Sequence, residues 1–275
     1  MTVFYQRQPS PGRHLGISIF YLFLLFFATA CGSESSTPSW PAQLTYEILD
    51  TKPHGPDVYT QGLVINGGVI TETSGLYAKS FLKQYDAETD QVLKRVALPR
   101  DIFAEGITLF DGRFYMLTWH SEKALVFNGE TLEQEDVLSY TGEGWGITHD
   151  GRHLITSNGT DMLTFRNPGD FSVVKVLKVN DGTRVWNQLN ELEYAEGYIW
   201  ANVWQTTFVL AINPSDGSVK AIANLSELDR INNRYPGDSV LNGIAYDPTK
   251  KAYWITGKLW PNRYLVHFSL PALQR

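Results

Sequence analysis

The chain has 275 residues and a formal net charge of −6, with 43% hydrophobic and 13% aromatic residues. Its lysines and arginines form no cluster, so a nucleic-acid partner, which requires a concentrated basic surface, is not expected. Cys31 is the only cysteine, which excludes an internal disulfide and a zinc site built from thiolates. The length suits one large domain or two small ones, and all-β folds often use it as one unit.

The first 31 residues have the order of a secretory signal. Arg7 and Arg13 make a basic start, residues 15–27 are almost wholly apolar, and small residues precede Cys31. The apolar run is short for a membrane span, which needs about 20 residues. Cys31 stands where a bacterial lipoprotein signal has its lipidated cysteine, so we expect lipidation there. Two alternatives stay open: cleavage that leaves Cys31 as a free N-terminal thiol, and a retained N-terminal anchor.

Residues 32–42 contain Ser, Thr, Pro and Gly, a composition that predicts a linker. Signal and linker together predict an exported protein of the periplasm or cell envelope, tethered to a membrane by a lipid on Cys31. Residues 43–275 are then the folded domain, for which we expect a monomer.

From residue 43 onward, short alternating strands are separated by turns rich in Pro, Asp and Gly. Clear examples are the predicted strands 113–119, 124–128 and 136–140. One short helix is predicted over residues 225–235, with Ser226 as its N-cap and Asp229 three residues later. The sequence therefore predicts an all-β fold.

A weak internal repeat organises these strands. Four segments share a polar or aromatic residue followed by Gly and an aliphatic residue, and a fifth is a degenerate copy: Gln61-Gly62-Leu63, Glu105-Gly106-Ile107, Trp145-Gly146-Ile147, Asn190-Glu191-Leu192 and Asn242-Gly243-Ile244. Their second residues are 44, 40, 45 and 52 positions apart. A period of about 40–50 residues is typical of propeller blades. The repeat predicts a five-bladed β-propeller with four-stranded antiparallel blades around a central channel.

The position of the repeat within each blade also predicts a site. The innermost strand of a blade lines the channel, and a glycine there allows neighbouring backbones to approach closely. The residues that precede the second repeat position should then face a common centre: Gln61, Glu105, Trp145, Asn190 and Asn242. Each of them alone could simply satisfy a strand end or channel water, but five convergent side chains indicate a site. A second strand is predicted after each motif, at residues 69–73, 114–119, 153–157, 198–204 and 252–257.

Eight motifs follow one another between Thr45 and Phe268: Tyr59-Thr60-Gln61-Gly62-Leu63, Phe103-Ala104-Glu105-Gly106-Ile107-Thr108, Leu117-Thr118-Trp119, Gly144-Trp145-Gly146-Ile147-Thr148, Leu189-Asn190-Glu191-Leu192-Glu193, Ala201-Asn202-Val203-Trp204, Leu241-Asn242-Gly243-Ile244-Ala245 and Thr256-Gly257-Lys258-Leu259-Trp260. In this order and spacing they resemble the motifs of the plant and bacterial glutamine cyclotransferases. Departures are small: Tyr59 stands where the family usually has Phe, and Asn158-Gly159-Thr160 replaces its usual Asp-Gly-Ser.

The resemblance implies a five-bladed propeller that converts the N-terminal glutamine of peptides or proteins to pyroglutamate without a metal or other cofactor. It implies catalytic roles for Glu105, Lys258, Asn190 and Gln61, with Glu105 as the general acid/base. It also implies a substrate-binding role for five aromatic residues: Tyr59, Phe103, Trp119, Trp145 and Trp204.

The reaction is an intramolecular aminolysis, in which the substrate's α-amine attacks its own γ-carboxamide and ammonia leaves. It needs no nucleophile from the enzyme. One group must move protons, and burial of Glu105 among aromatic rings should raise its pKa toward neutrality. Lys258, or the amides of Gln61 and Asn190, could donate to the oxyanion. Lys258 is expected across the pocket from Glu105, because close contact would lower the carboxyl pKa.

Other conspicuous side chains are assigned to structure. Trp186, Trp200, Trp254 and Trp260 are expected to pack between strands, and Glu191 and Glu193 to brace an inner strand. The spacing of His149 and His153 does not predict a metal site.

Two alternative functions remain open from the residues. A calcium-type, metal-dependent lactonase could use Glu105, Asn190 and Asn242 as oxygen ligands, although Lys258 and the tryptophans would oppose a cation. A non-catalytic propeller that binds a peptide or sugar would keep the aromatic channel but not require Glu105.

Overall fold

The computed structural model describes residues 41–232 and 234–269, which form twenty β-strands and one short helix. The all-β prediction is therefore confirmed. The predicted signal (residues 1–31), with Cys31, and nearly all of the linker lie outside the described residues. In the described part of the chain, no helix is long and apolar enough to cross a membrane.

The first strand, β1 (Ala42–Pro53), joins strands from the end of the chain, and three separate four-stranded antiparallel sheets follow it. The first sheet contains β2 (Thr60–Asn66), β3 (Val69–Ser74), β4 (Phe81–Asp86) and β5 (Val92–Ala97). The second contains β6 (Ala104–Phe110), β7 (Arg113–Thr118), β8 (Lys123–Asn128) and β9 (Gln134–Ser139). The third contains β10 (Ile147–His149), β11 (Leu154–Thr156), β12 (Met162–Arg166) and β13 (Val173–Lys178).

The remaining strands form one eight-stranded sheet, which differs from the predicted four-stranded blades. Its members are β14 (Leu189–Ala195), β15 (Tyr198–Val203), β16 (Phe208–Ile212), β17 (Val219–Asn224), β18 (Leu241–Asp247), β19 (Ala252–Gly257), β20 (Asn262–Ser269) and β1, in the order β14-β15-β16-β17-β1-β20-β19-β18. The difference arises at one narrow junction. Residues 42–44 of β1 pair in parallel with β17, whereas residues 45–53 pair antiparallel with β20.

The short helix α1 (Ser226–Asn232) confirms the predicted helix, but its cap differs from the prediction. Asp229 N donates to Leu225 O at 3.0 Å, so Leu225 already closes the first turn. The side chain that accepts from the amide of Ser226 is that of Asn224, at 3.1 Å. Ser226 is therefore the first helical residue rather than the N-cap.

The predicted second strands are all present, as β3, β7, β11, β15 and β19. Each is preceded by an inner strand, and the inner strands contact one another in sequence: β2 lies beside β6, β6 beside β10, β10 beside β14, β14 beside β18, and β18 beside β2. Apolar side chains fill the spaces between neighbouring sheets; for example, Leu63 and Ile70 pack with Trp254 and Leu265. The outermost strands β5, β9 and β13 are mostly exposed and carry charged residues, which discourages edge-to-edge pairing.

Glycine permits the close approach of the inner strands. A Cβ on Gly106 would lie 2.7 Å from Trp145 O and 2.8 Å from Gly146 Cα, and the amide of Gly106 donates to Trp145 O at 2.7 Å. A Cβ on Gly62 would collide with the backbone at Gly106 in the same way, and a Cβ on Gly146 with the backbone of Asn190. Four successive inner strands, β2, β6, β10 and β14, are thus in close backbone contact at these glycines.

The degenerate fourth repeat has Glu191 where the others have glycine, and its side chain takes over the contact. Its carboxylate is fully buried and accepts from Leu63 N at 3.2 Å and from Ile244 N at 2.9 Å. Burial raises the pKa of Glu191, and these two amide donors oppose that rise. Glu193 accepts in turn from Tyr246 N at 2.9 Å. The prediction that Glu191 and Glu193 brace the inner strands is therefore confirmed.

We predict that Gly146→Ala lowers the free energy of unfolding by about 2 kcal/mol or more, because the new methyl group would meet backbone atoms that cannot move independently. Gly169→Ala is the matched control, since the nearest atom to its new Cβ is a side-chain oxygen of Asn167 at 3.4 Å. We expect this control to change stability by less than about 0.5 kcal/mol. Urea unfolding of both variants measures the difference, and equal effects would contradict the close-packing account.

Candidate active site

One pocket, with a volume of about 220 Å³, contains every residue that the sequence predicts for the catalytic and substrate-binding site. The nine predicted side chains line it together: Tyr59, Gln61, Phe103, Glu105, Trp119, Trp145, Asn190, Trp204 and Lys258. Leu76 is the tenth. The prediction missed it because it lies in the turn after β3, with a backbone φ of 89° and no motif to mark it.

Irregularities in the inner strands bring the polar members of the site together. The strand register shifts between Thr60 and Gly62, between Ala104 and Ile107, and between Leu189 and Leu192. A bulge of this kind bends a strand and redirects a side chain. Gln61, Glu105 and Asn190 each lie within one of these shifts, so their side chains enter the pocket while the rest of each strand keeps its pairing.

Glu105 is the most deeply placed acid of the site. It is 4% exposed, and its Oε1 atom accepts a 2.9 Å hydrogen bond from Gln61 Nε2. Its Oε2 atom has no partner among the described residues. Burial raises the pKa of Glu105 well above its ordinary value, while the charge of Lys258 lowers it and that of Glu143 raises it further. This carboxyl therefore takes up a proton more readily than an ordinary glutamate does.

Gln61 is held in the orientation that serves Glu105. Because a carboxylate only accepts, Gln61 must present its Nε2 atom to Glu105 and its Oε1 atom to the other side. On that side lies Asn242 Nδ2, 3.4 Å from Gln61 Oε1 and 3.0 Å from Thr60 O. Asn242 was expected among the side chains that face the common centre, but it does not line the pocket. It lies behind Gln61 and supports it.

Lys258 provides a buried positive charge. It follows β19, is 4% exposed, and places its Nζ atom 4.9 Å from the centre of the Tyr59 ring. Lys258 and Glu105 both line the pocket and are described, and they make no ion pair with each other. Their expected placement on opposite sides of the pocket stays a prediction. Burial lowers the pKa of Lys258 to about 8, and the charge of Glu105 offsets part of that shift.

A buried charged network fixes the turn that carries Lys258. His54 Nδ1 lies 2.8 Å from Trp260 O, and His54 Nε2 lies 2.7 Å from Glu72 Oε1. Glu72 Oε1 also accepts from Thr60 Oγ1 at 2.7 Å, next to Gln61 in sequence. Burial alone would raise the pKa of Glu72, but His54 and its other partners lower it to about 2. The network ties the Lys258 turn to the strand that supplies Gln61.

Four aromatic side chains line the pocket as two packed pairs, which we name the aromatic wall: Phe103, Trp119, Trp145 and Trp204. The ring centres of Phe103 and Trp119 are 5.3 Å apart, and those of Trp145 and Trp204 are 5.5 Å apart at 82°. By contrast, Trp186, Trp200, Trp254 and Trp260 are buried and do not line the pocket, as predicted.

Glu143 is the other residue that the sequence prediction missed. Its Oε2 atom accepts hydrogen bonds from Trp119 Nε1 at 2.9 Å and from Trp145 Nε1 at 2.8 Å. The only signal in the sequence is its place between two glycines, two residues before Trp145.

In residues 41–232 and 234–269, no three His, Cys, Asp or Glu side chains are grouped so that they could hold a metal ion.

Comparisons with known proteins agree on one family. The sequence model for glutamine cyclotransferase matches residues 21–268. The chain is 33% identical over 253 residues to a glutaminyl-peptide cyclotransferase of Arabidopsis thaliana. The aligned region covers 90% of this chain and 79% of the relative. Among solved structures, a glutaminyl cyclase of Myxococcus xanthus superposes with a TM-score of 0.79 and 34% identity, over 84% of this chain and 99% of that one.

Proposed function

The chain belongs to the glutamine cyclotransferase family, and we propose how its pocket carries out that family's reaction. The enzyme closes the N-terminal glutamine of a peptide into pyroglutamate and releases ammonia. The observation that carries the proposal is Glu105: a buried carboxyl with a raised pKa, inside a pocket lined by aromatic rings, with one oxygen that accepts no hydrogen bond from the described residues.

The pocket suits one amino-acid residue. Its volume of about 220 Å³ is below the roughly 300–1,000 Å³ typical of sites for drug-sized ligands. A folded glutaminyl side chain with its α-amine fits this space, and the rest of the peptide stays outside. The aromatic wall holds the flexible side chain with the amine near the carboxamide carbon. Orientation of this kind is worth effective molarities of about 10⁵–10⁸ M.

Glu105 moves one proton from the attacking amine to the departing nitrogen. The substrate's α-amine attacks its own γ-carboxamide carbon, and Glu105 Oε2 takes up the proton that the amine loses. The same carboxyl then gives that proton to the carboxamide nitrogen, the carbon–nitrogen bond breaks, and ammonia leaves. The amine loses one of its two hydrogens, so the new lactam keeps one N–H. Glu105 has passed on the proton that it took up, so the enzyme is back in its starting state. A carboxyl with a raised pKa is better suited to both transfers than an ordinary glutamate is.

The other polar groups have separate roles in this mechanism. Lys258 stabilises the oxyanion of the tetrahedral intermediate, because it is buried and its charge has no ion-pair partner in the described part of the chain. The side chain of Asn190 lines the pocket, and its buried Oδ1 atom has no hydrogen-bond partner within residues 41–232 and 234–269. We assign it to accept an N–H of the substrate. Gln61 holds Glu105 through the 2.9 Å hydrogen bond and is less suited to the oxyanion.

We also propose that the sheets form a five-bladed propeller. The eight-stranded sheet would then be two four-stranded blades, β14–β17 and β18–β20 with β1, joined by the short parallel pairing of residues 42–44. Support comes from the cycle of contacts among the five inner strands. A crystal structure with any other number of inner strands around the axis would contradict this arrangement. We further propose a monomer without a nucleic-acid partner, and sedimentation as a dimer would contradict the monomer.

Glu105→Gln should lower kcat for ammonia release from a glutaminyl-alanine dipeptide by about 10²–10⁴-fold, because the amide cannot carry the proton. Glu130→Gln, which changes an exposed carboxylate in the turn between β8 and β9, outside the pocket lining, should keep the wild-type rate. Excess chelator should leave the wild-type rate unchanged, in accord with a reaction that uses no metal. A fully active, folded Glu105→Gln variant would refute the proton-transfer role, and loss of activity with chelator would favour the metal-dependent lactonase type of site.

If Glu105→Gln binds the dipeptide normally and wild type releases no ammonia, the chain is a binding platform instead. Equilibrium binding to both proteins separates this second alternative from catalysis. The same measurement shows whether the substitution acts on the chemical step or on affinity.

The pKa of Lys258 predicts the alkaline limb of the pH profile. With a pKa of about 8, its ammonium is charged below that pH and loses its charge as the pH rises through it. We therefore expect kcat to fall above about pH 8, whereas deprotonation of the substrate's amine alone would make kcat rise there. In Lys258→Arg the side chain stays charged, since the pKa of arginine is above about 12, and the fall should move to higher pH. A limb in the same place in both enzymes would exclude Lys258 as its origin.

We propose that Cys31 is lipidated and anchors the exported enzyme to a membrane of the cell envelope, on the basis of the signal sequence alone. Cys31→Ser should then move the enzyme from the membrane fraction to the soluble fraction and abolish incorporation of labelled fatty acid. A wild-type enzyme that is soluble and unlabelled would instead indicate ordinary cleavage.

A further inference from the structure

Two indole rings of the pocket depend on a single carboxylate oxygen. Trp119 Nε1 and Trp145 Nε1 donate to Glu143 Oε2 at 2.9 and 2.8 Å. The Nε1–H group is the only polar group of an indole, and it can only donate. Both rings therefore direct their one hydrogen bond to the same atom, on a residue that is not part of the pocket lining.

This oxygen connects the two halves of the aromatic wall. Phe103 packs on Trp119, and Trp204 packs on Trp145, in separate pairs. Trp119 follows β7 and Trp145 precedes β10, so the two indoles come from neighbouring sheets. Glu143 is thus a polar link between one pair and the other, at the edge of the space where the glutaminyl side chain must fold.

The backbone around Glu143 is itself held in place. Gly142 has a φ of 90°, and its amide donates to Glu122 Oε1 at 2.8 Å. The amide of Gly144 donates to Trp119 O at 3.2 Å, and a Cβ at Gly144 would collide with the hydroxyl of Tyr140. The two glycines that flank Glu143 thus hold its side chain, which is 40% exposed, directly against two indoles. An ordinary solvated surface glutamate needs no such support.

We propose that Glu143 is a positioning residue of this enzyme, which fixes the orientation of Trp119 and Trp145 and so the shape of the substrate pocket. The inference rests on the proposed function, because it explains how the wall folds the glutaminyl side chain. Glu143 does not touch the substrate, and it acts through the two rings. A misplacement of about 1 Å in such a wall can cost up to about 100-fold in rate.

The charge of Glu143 has a second, separable effect. It raises the pKa of Glu105. Burial has the larger effect in the same direction, and the charge of Lys258 lowers this pKa. The ionisable group that faces Glu143 itself is His120, whose Nδ1 atom lies 3.7 Å from Glu143 Oε1 and whose ring stacks on Trp119 at 4.0 Å. Positioning and charge can be distinguished, since glutamine keeps an oxygen that accepts from both indoles but has no charge.

The test compares Glu143→Gln and Glu143→Ala, with Glu130→Ala as the control for loss of an exposed carboxylate. For the glutaminyl-alanine dipeptide, Glu143→Ala should lower kcat/KM by about 10- to 100-fold, mainly through KM. Glu143→Gln should stay within about threefold of wild type in KM. Its acidic pH limb should move to lower pH, because the pKa of Glu105 falls when a neighbouring negative charge is removed. The control should match wild type.

Near-ultraviolet circular dichroism of the tryptophans gives a readout that does not depend on turnover. Its spectrum should change in Glu143→Ala and stay close to wild type in Glu143→Gln. In a Trp119→Phe background, Glu143→Ala should cost less in KM than in wild type, since one of its two partners is gone. Unchanged KM and spectrum in Glu143→Ala, or equal losses in the Gln and Ala variants, would overturn the positioning role. An inactive wild type with the predicted spectral difference would sink the proposed function but not the contact.

Discussion

Backbone contact between the inner strands is the constraint on which the rest of the structure depends. Gly62, Gly106 and Gly146 allow four of these strands to approach so closely that a single methyl group would not fit. Where the fourth repeat lacks glycine, the carboxylate of Glu191 reaches two backbone amides instead. The residue before each of these positions lies at the start of an inner strand, so close packing at the centre also brings Gln61, Glu105 and Asn190 into one pocket. Stability and the site therefore have the same origin.

The chemistry follows from that burial. Glu105 and Lys258 are each 4% exposed, and desolvation raises the pKa of Glu105 and lowers that of Lys258 to about 8. A carboxyl with a raised pKa takes up the proton of an attacking amine more readily, and a lysine that is charged below about pH 8 can stabilise a developing oxyanion. The supporting groups lie one layer out: Asn242 behind Gln61, the His54–Glu72 pair under the Lys258 turn, and Glu143 behind two indoles. The reaction needs geometry more than reactive groups, and these contacts supply it.

The repeat predicted the all-β class and the second strands, because its period and turns fix where strands begin and end. The resemblance to the family's motifs implied nine of the ten residues of the pocket, of which the repeat alone selects only Gln61, Glu105, Trp145 and Asn190. What the sequence did not predict depends on contacts across the fold. Glu143 and Leu76 have no periodic signal, and only the fold brings Glu143 to two indoles. Asn242 has the same local pattern as Gln61 but lies behind it. The side chain that accepts a hydrogen bond from the amide of Ser226 is that of Asn224, whereas the sequence predicted Ser226 as the cap. The parallel pairing of residues 42–44 with β17 joins segments that are far apart in the sequence, so no local pattern indicates it.

The raised pKa of the Glu105 carboxyl is the centre of this account, and it can be observed directly. Carbon-13 NMR of the enzyme labelled at the glutamate δ-carbon, with the Glu105 signal assigned from the Glu105→Gln variant, gives the titration midpoint of that one group. We expect a midpoint well above the value of about 4.3 for an ordinary glutamate. A midpoint near 4 would mean that Glu105 is fully ionised at neutral pH, and it would contradict the proton transfers assigned to it.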